Sequence, residues 1–339
     1  MKAYAANGRR RPEGDEGILD PFLKDYLSIL ESPSFGRIFY KTQAMPITPN
    51  SHVRTRGTHT NQTIPIAVKV AKELGCNTNL CMSILHGHDI GHPPYGHEGE
   101  RILTKLGGYK PFKHNIFGVV ILQHIENGGK GLNCRYETLD GILKHLKWKQ
   151  DPGDPPEYEI VANADKIEYT FVDFEDAIKN KYTGEDEIPD FAYRLGRTAK
   201  ERQNNCIKAF IEESKRKGRV EFSEGPAYDD LKMQLKFNTE VIYPRMDSST
   251  HMNDLERIYE FFYHEPDFSG VDLTLAVALL TDFEVDNIIS LLRRYNKPSR
   301  AQITDYGVFE LLDVLRSKKI DYTDPDLGWG KRPDAPEGR

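Results

Sequence analysis

The 339-residue chain predicts an all-α fold: a helical bundle with a C-terminal helical extension and at most a short β-hairpin. Three observations carry that expectation. Apolar residues recur every three to four positions through most of the chain, the spacing that gives a helix one buried stripe. Strand-like alternation is confined to a short stretch, 219–223, the one candidate for extended structure. Clusters of Pro and Gly at 46–52, 149–157 and 181–190 separate the periodic stretches, as breaks between helices do.

Taken in chain order, helical patterns run over 20–31, 59–74, 79–88, 96–106, 113–125, 135–147 and 159–178. The stretch 59–74 places Ala67, Val68, Ala71 and Leu74 on one stripe. In 113–125 the stripe is Ile116, Val119, Val120 and Leu122, and in 159–178 it is Ile160, Ala164, Ile167 and Phe171. Further patterns cover 192–216, 228–241, 252–263, 282–295 and 306–317. The histidines concentrate before residue 185, so we divide the chain into a chemistry-bearing core, 1–185, and a helical extension, 186–321. The last stretch, 322–339, has little to bury and is expected to be a flexible tail.

Bulk properties narrow the function. The chain is 38% hydrophobic and 29% charged, with a net charge of -6. That balance argues against a protein-wide attraction to nucleic acid or to an anionic membrane. A polyanionic substrate would need a local positive site. Apolar runs such as Leu275–Leu280 are far shorter than the ~20 residues that cross a bilayer. The opening MKAYAANGRRRPEGDEG has basic residues but no apolar stretch behind them, so no secretory signal is expected and the protein reads as cytoplasmic. The four cysteines are scattered, which suits reduced thiols rather than a zinc knuckle.

Chemistry announces itself at HGHDIGHPPYGHEGE, residues 86–100, which holds four of the eleven histidines. Imidazole and carboxylate are costly to bury without partners, so packing does not call for this cluster. His88 and Asp89 end a helical run just before Gly91, Pro93 and Pro94, and a pair at a helix terminus can aim both side chains at one point. A divalent ion wants four to six donors, so further ligands must come from elsewhere. His59 opens one helix and Asp165 lies within another, and both can supply them, as bundle metal sites are generally built. Two imidazoles and two carboxylates suit Mn²⁺ or Mg²⁺ first, with Fe, Ni, Zn or Co compatible. His97 and Glu100 share a helical turn and form a candidate proton-handling pair. His86 lies about 200° round the helix from His88 and is assigned to packing. His52 and His124 receive no role, and Arg9 to Arg11 read as a solvated charge run.

The order H…HD…D resembles the HD phosphohydrolase superfamily. RTRGTH followed by HDIGHPPYGHEGE resembles its deoxynucleoside triphosphate triphosphohydrolase branch, the dGTPase-like proteins. SPSFGRIFYKTQ upstream and NADKIEYTFVDFEDA downstream are similar to that branch too, so the likeness runs in register over about 20–180. The resemblance implies an HD-domain helical bundle in which His59, His88, Asp89 and Asp165 hold one divalent ion per subunit. It implies that Arg56, His92, His97, His114 and Lys166 face the triphosphate. Gln43, Tyr169 and Asp173 would face the deoxyribose. Apart from the resemblance, Tyr243 and Arg245 in VIYPRMD are read as residues that complete the pocket from the second half. Guanidinium offers phosphate a forked donor and lysine a point charge. Tyr169 and Asp173 follow Asp165 at four and eight residues, on one helix face.

The reaction so implied is hydrolysis of a dNTP, dGTP among them, at the α-phosphorus. A homo-oligomer, tetramer or hexamer, is implied by the same resemblance. Two departures stand out. Gly36 and Phe39 occupy positions where the family carries basic residues, and LLTDFEVDNIIS matches the family's closing helix only loosely. Two other functions compete. Another HD phosphohydrolase, a 5′-nucleotidase or phosphodiesterase, would share the ion but not the downstream phosphate and sugar set. A nucleotide sensor or single-strand-binding module would bind dNTP without turnover.

Overall fold

The structure is a computed structural model, and it describes residues 8–11, 20–45, 53–246, 249–295, 300–303 and 306–328. The helices of its first half are α1 (Pro21–Leu30), α2 (Pro33–Arg37), α3 (Arg56–Leu74), α4 (Thr78–His88), α5 (Gly96–Leu106), α6 (His114–Val120), α7 (Tyr136–Lys144) and α8 (Pro156–Lys179). The second half holds α9 (Ala199–Lys217), α10 (Pro226–Phe237), α11 (Ser249–His264), α12 (Leu273–Ala278), α13 (Asp282–Tyr295), α14 (Arg300–Ile303) and α15 (Gly307–Ser317). Among the described residues there is no sheet, only isolated bridges between Arg9 and Arg135 and between Thr42 and Thr55. The fold is all-α.

The expected hairpin strand is absent. Residues 219–223 are irregular because side chains of α9 take up their backbone groups. Ser214 Oγ exchanges hydrogen bonds with Glu221 N and O at 3.1 Å, and Glu213 accepts from Ser223 N at 3.2 Å. The helix expected from 192 starts instead at Ala199, where Thr198 and Glu201 form a capping box. In α3 the buried stripe runs through Ile66, Ala67, Val70, Ala71 and Leu74, and Val68 sits at its half-exposed margin.

The described chain forms two compact units that cut across the sequence division at 185. Among the described residues, one is built from 58–85 and 144–246, the other from those within 8–57, 86–143 and those within 249–328. In the first, α8 is buried around nearly its whole circumference from Glu157 to Glu168, so it is an encased central helix rather than an amphipathic one. Helices α9 and α10 pack on it. Arg202 of α9 is buried over the rings of Phe171 and Phe174 and pairs with Glu175 at 3.2 Å.

In the second unit α11 packs against α5, α12 and α13. The N-terminal arginines are more than a solvated run. Arg9 pairs with buried Asp25, and Arg11 donates to Lys130 O at 2.6 Å, which straps this segment to the loop before α7. The expected tail also differs over 322–328. Tyr322 is 3% exposed, its ring against Phe112 and beneath the Lys110 ammonium, because one aromatic with an apolar niche suffices to dock a polar segment. Residues 329–339 of that expectation lie outside the described residues, as does His52. Among the described residues no helix is long and apolar enough to cross a membrane.

Candidate active site

In the second unit, α4 ends at His88 and the chain turns sharply toward α5. Gly91 makes that turn possible: a Cβ there would stand 2.0 Å from His114 O and 2.2 Å from Gly118 N. Any side chain would push α6 away. Asp89, 4% exposed, sits at the centre of what the turn brings together. Arg56 Nη1 lies 3.1 Å from its Oδ2, His88 Nε2 lies 3.5 Å from the same oxygen, and His92 Nε2 lies 3.2 Å from Oδ1. Burial works against the Asp89 carboxylate, yet His88, Arg56 and His92 together hold its pKa well below the usual carboxylate range. It is an anion here.

Arg56 also reaches the Gln43 carbonyl through Nη2 at 3.1 Å, and it fits because Gly96, at φ +57°, has no Cβ. An ideal Cβ at Gly96 would lie 2.5 Å from that guanidinium. Beside Asp89 stands a second cluster, in which donor atoms of His92, His97, Glu100 and His114 all lie within 4.8 Å of one another. Glu100 organises it. Its carboxylate meets His97 Nδ1 at 2.8 Å, His114 Nδ1 at 2.7 Å and the His114 backbone N–H at 2.5 Å.

An ionised carboxylate only accepts, so both rings carry a proton on Nδ1. Burial opposes ionisation of Glu100, but the histidines outweigh it and its pKa is lowered. Burial keeps His92 neutral, helped by Arg56 and His114, and its ring stacks on His114 with centroids 3.6 Å apart. The His97 side chain is 70% exposed, so a substrate can reach it.

In the first unit the candidate residues lie in helix interiors. His59 sits one turn into α3 and is 1% exposed. Its Nε2 lies 3.0 Å from Asp165 Oδ1 of α8, and its Nδ1 is hydrogen-bonded to Glu168. Burial disfavours imidazolium, but Glu168 and Asp165 outweigh it and push His59 up to about 10. The donor chemistry fits a divalent ion. Within the first unit His59 Nε2 and Asp165 Oδ1 lie 3.0 Å apart, and within the second His88 Nε2 and Asp89 Oδ2 lie 3.5 Å apart, each close to the spacing of two ligands on an ion with bonds of about 2.0–2.2 Å. The Glu168–His59 contact is the carboxylate–histidine arrangement that orients metal-bound imidazoles.

Farther along α8, Asp173 accepts from the Tyr243 hydroxyl at 2.8 Å, and Tyr169 lies between Asp165 and Asp173 on the same face. Burial, with both carboxylates, raises the Tyr169 pKa, so its hydroxyl stays protonated.

The chain matches the HD-domain model over residues 56–170. It is 33% identical over 275 residues to a deoxyguanosinetriphosphate triphosphohydrolase-like protein of Caldanaerobacter subterraneus subsp. tengcongensis, spanning 78% of this chain and 79% of the relative. This chain belongs to that family. A deoxyguanosinetriphosphate triphosphohydrolase-like protein of Clostridium tetani is 37% identical over 62% of this chain and 61% of its own length. A Desulfatibacillum aliphaticivorans relative of the same description is 32% identical over 68% of each chain.

Among the residues singled out from the sequence, the second unit gathers Arg56, His88, Asp89, His92, His97, Glu100 and His114 with Gln43 adjoining them. The first unit gathers His59 with Asp165, and Asp173 with Tyr243. Lys166 is directed elsewhere: its ammonium donates to Ala162 O and Lys147 O and lies over the Trp148 ring. Burial lowers it to about 8. Arg245 is taken up by Glu187 at 2.6 and 2.9 Å. His86 packs between Tyr26 and Phe35, as its angle round the helix predicts. Three residues with no role in the sequence reading touch these groups or the loops that carry them: Glu168 meets His59, Lys41 donates to His92 O, and Asp282 accepts from Thr42 N and Tyr95 N. Glu168 was readable as an acid one turn past Asp165, but Lys41 and Asp282 depend on contacts far apart in sequence.

Proposed function

We propose that this chain is a metal-dependent deoxynucleoside triphosphate triphosphohydrolase, taking dGTP among the dNTPs and cleaving at the α-phosphorus to deoxynucleoside and tripolyphosphate. One observation carries the reading: the Arg56, His92, His97, Glu100 and His114 set gathered beside the anionic Asp89. A nucleotidase acting on one phosphate has no need of so many donors. The names of the relatives point the same way.

His59, His88, Asp89 and Asp165 are the residues that would hold the ion, Mn²⁺ or Mg²⁺ first. When bound, it neutralises charge on the phosphoryl oxygens and supplies Lewis acidity. Arg56, His92 and His114 bind phosphate oxygens, the first as a guanidinium fork once it leaves Asp89 and the Gln43 carbonyl. Lys166 joins them once its ammonium leaves the carbonyls of Ala162 and Lys147. His97, held by Glu100 and exposed, moves the proton at its Nε2. Gln43, Tyr169 and Asp173, with Tyr243 against Asp173, bound the sugar, and the Tyr169 ring excludes a 2′-hydroxyl.

The reading includes a cytoplasmic homo-oligomer, tetramer or hexamer. Four cysteines without a disulfide among the described residues support a reducing compartment. The test is purified protein with Mn²⁺ and each of the four dNTPs, products followed by ³¹P NMR. Tripolyphosphate supports the proposal. Orthophosphate, a preference for monophosphates, or saturable binding without turnover rejects it.

A further inference from the structure

Helices α12 and α13 provide no ligand and no phosphate contact in the reading above, yet they send two buried polar groups into the loops that do. Asp282, the first residue of α13, is 2% exposed. One carboxylate oxygen accepts from Thr42 N at 2.8 Å and from the Thr42 hydroxyl. The other accepts from Tyr95 N at 3.0 Å. Thr42 precedes Gln43. Tyr95 precedes Gly96 and His97 and holds a left-handed φ of 64°, which a side-chain-bearing residue adopts only under constraint.

The neighbouring residue Lys41 closes a second strap. Its buried ammonium donates to Ala278 O at 3.1 Å, at the end of α12, and to His92 O. The same two loops are thus tied twice to the closing segment, once by the acid Asp282 and once by the base Lys41 of the first loop, which reaches both His92 O and Ala278 O. Both are groups that are costly to bury. A packing role at position 282 would be met by an apolar residue, whereas every hydrogen bond seen for this carboxylate goes to one of the two loops. The path continues within the second unit from Thr42 to the Gln43 carbonyl, the Arg56 guanidinium and Asp89.

We propose that Asp282 is a positioning residue: through Thr42 and Tyr95 it fixes Gln43 and His97 relative to each other, so that the closing segment sets how the substrate is gripped. Its kinetic consequence rests on the triphosphohydrolase reading. Its structural content does not.

Two variants test it. Asp282→Asn keeps the volume but loses the charge and one acceptor, and Thr42→Val removes a single hydroxyl. Hydrogen exchange by mass spectrometry on the full chain should show amides of 41–45 and 92–97 exchanging at least tenfold faster in Asp282→Asn, with α8 unchanged. With dGTP and Mn²⁺, kcat/KM should fall at least tenfold at unchanged metal per chain. Adding Thr42→Val to Asp282→Asn should cost nothing further, and Thr42→Ser should behave as the native protein does. Exchange unchanged in both loops, exchange faster everywhere alike, or native kinetics would overturn the proposal. Should Asp282→Asn fail to fold, Thr42→Val alone decides, faster exchange over 41–45 supporting the idea and native exchange refuting it. Absence of dNTP turnover in the unmodified protein would sink the functional reading while exchange still judged Asp282.

Discussion

The two units hold their candidate functional residues in different ways. In the first, His59, Asp165, Glu168 and Asp173 stand on the interiors of α3 and α8, and their spacing is the helix repeat. In the second, Asp89, His92 and Gln43 lie in turns and loops, with His97 and Glu100 in the first turns of α5 and His114 opening α6. A helix presents its side chains by its own geometry. A turn must be held. Hence the second unit needs Gly91, Gly96, Arg56, Lys41 and Asp282 to achieve what the first obtains from periodicity.

The largest expected effects fall on the ligands and cut across both units. Asp165→Ala and Asp89→Ala should each strip the ion and lower kcat by about a thousandfold or more, since loss of one anionic ligand leaves the remaining donors poorly organised. Metal analysis by mass spectrometry checks it, and metal retained in either variant would remove that residue from the ligand set. Next comes Glu100→Gln, which keeps the shape but cannot fix two Nδ1–H groups at once. It should cost roughly 10²-fold in kcat with the ion still bound. A native kcat would return His97 and His114 to independent roles.

Glu168→Gln sharpens the contrast, because it weakens an orienting contact on a helix rather than a turn. Metal affinity should drop about 10- to 100-fold. pH gives a companion test. In the metal-free protein His59 is raised to about 10, so it carries a proton across the neutral range and must release it to bind an ion. Affinity measured by competition from pH 6 to 8 should therefore rise with pH, by up to about tenfold per unit. A flat profile would show that His59 gives up no proton. The smallest effect belongs to the sugar wall: Tyr169→Ala should narrow the preference for deoxy- over ribonucleotides by roughly tenfold, as loss of a packed ring does. An unchanged ratio would free Tyr169 from that role.

Much of this was legible in the sequence because helices advertise themselves. The bundle, the HD pair and the register of Asp165, Tyr169 and Asp173 all follow from periodicity and residue type. What stayed hidden has a common cause. Val70 replaces Val68 in the stripe of α3 because the stripe's direction depends on which neighbour it meets. Residues 219–223 read as a strand because alternation does not reveal that Ser214 and Glu213 already satisfy that backbone. Tyr322 docks where composition suggested a free end. Asp282 and Lys41 sit in segments more than two hundred residues apart, and only the folded chain brings them to the same loops.

The central claim is attack at the α-phosphorus of a dNTP. Turnover of dGTP in H₂¹⁸O with Mn²⁺, products weighed by mass spectrometry, tests it most directly. The account predicts one ¹⁸O in each tripolyphosphate and none in the deoxyguanosine. Label in the deoxyguanosine, or in released orthophosphate, would contradict it.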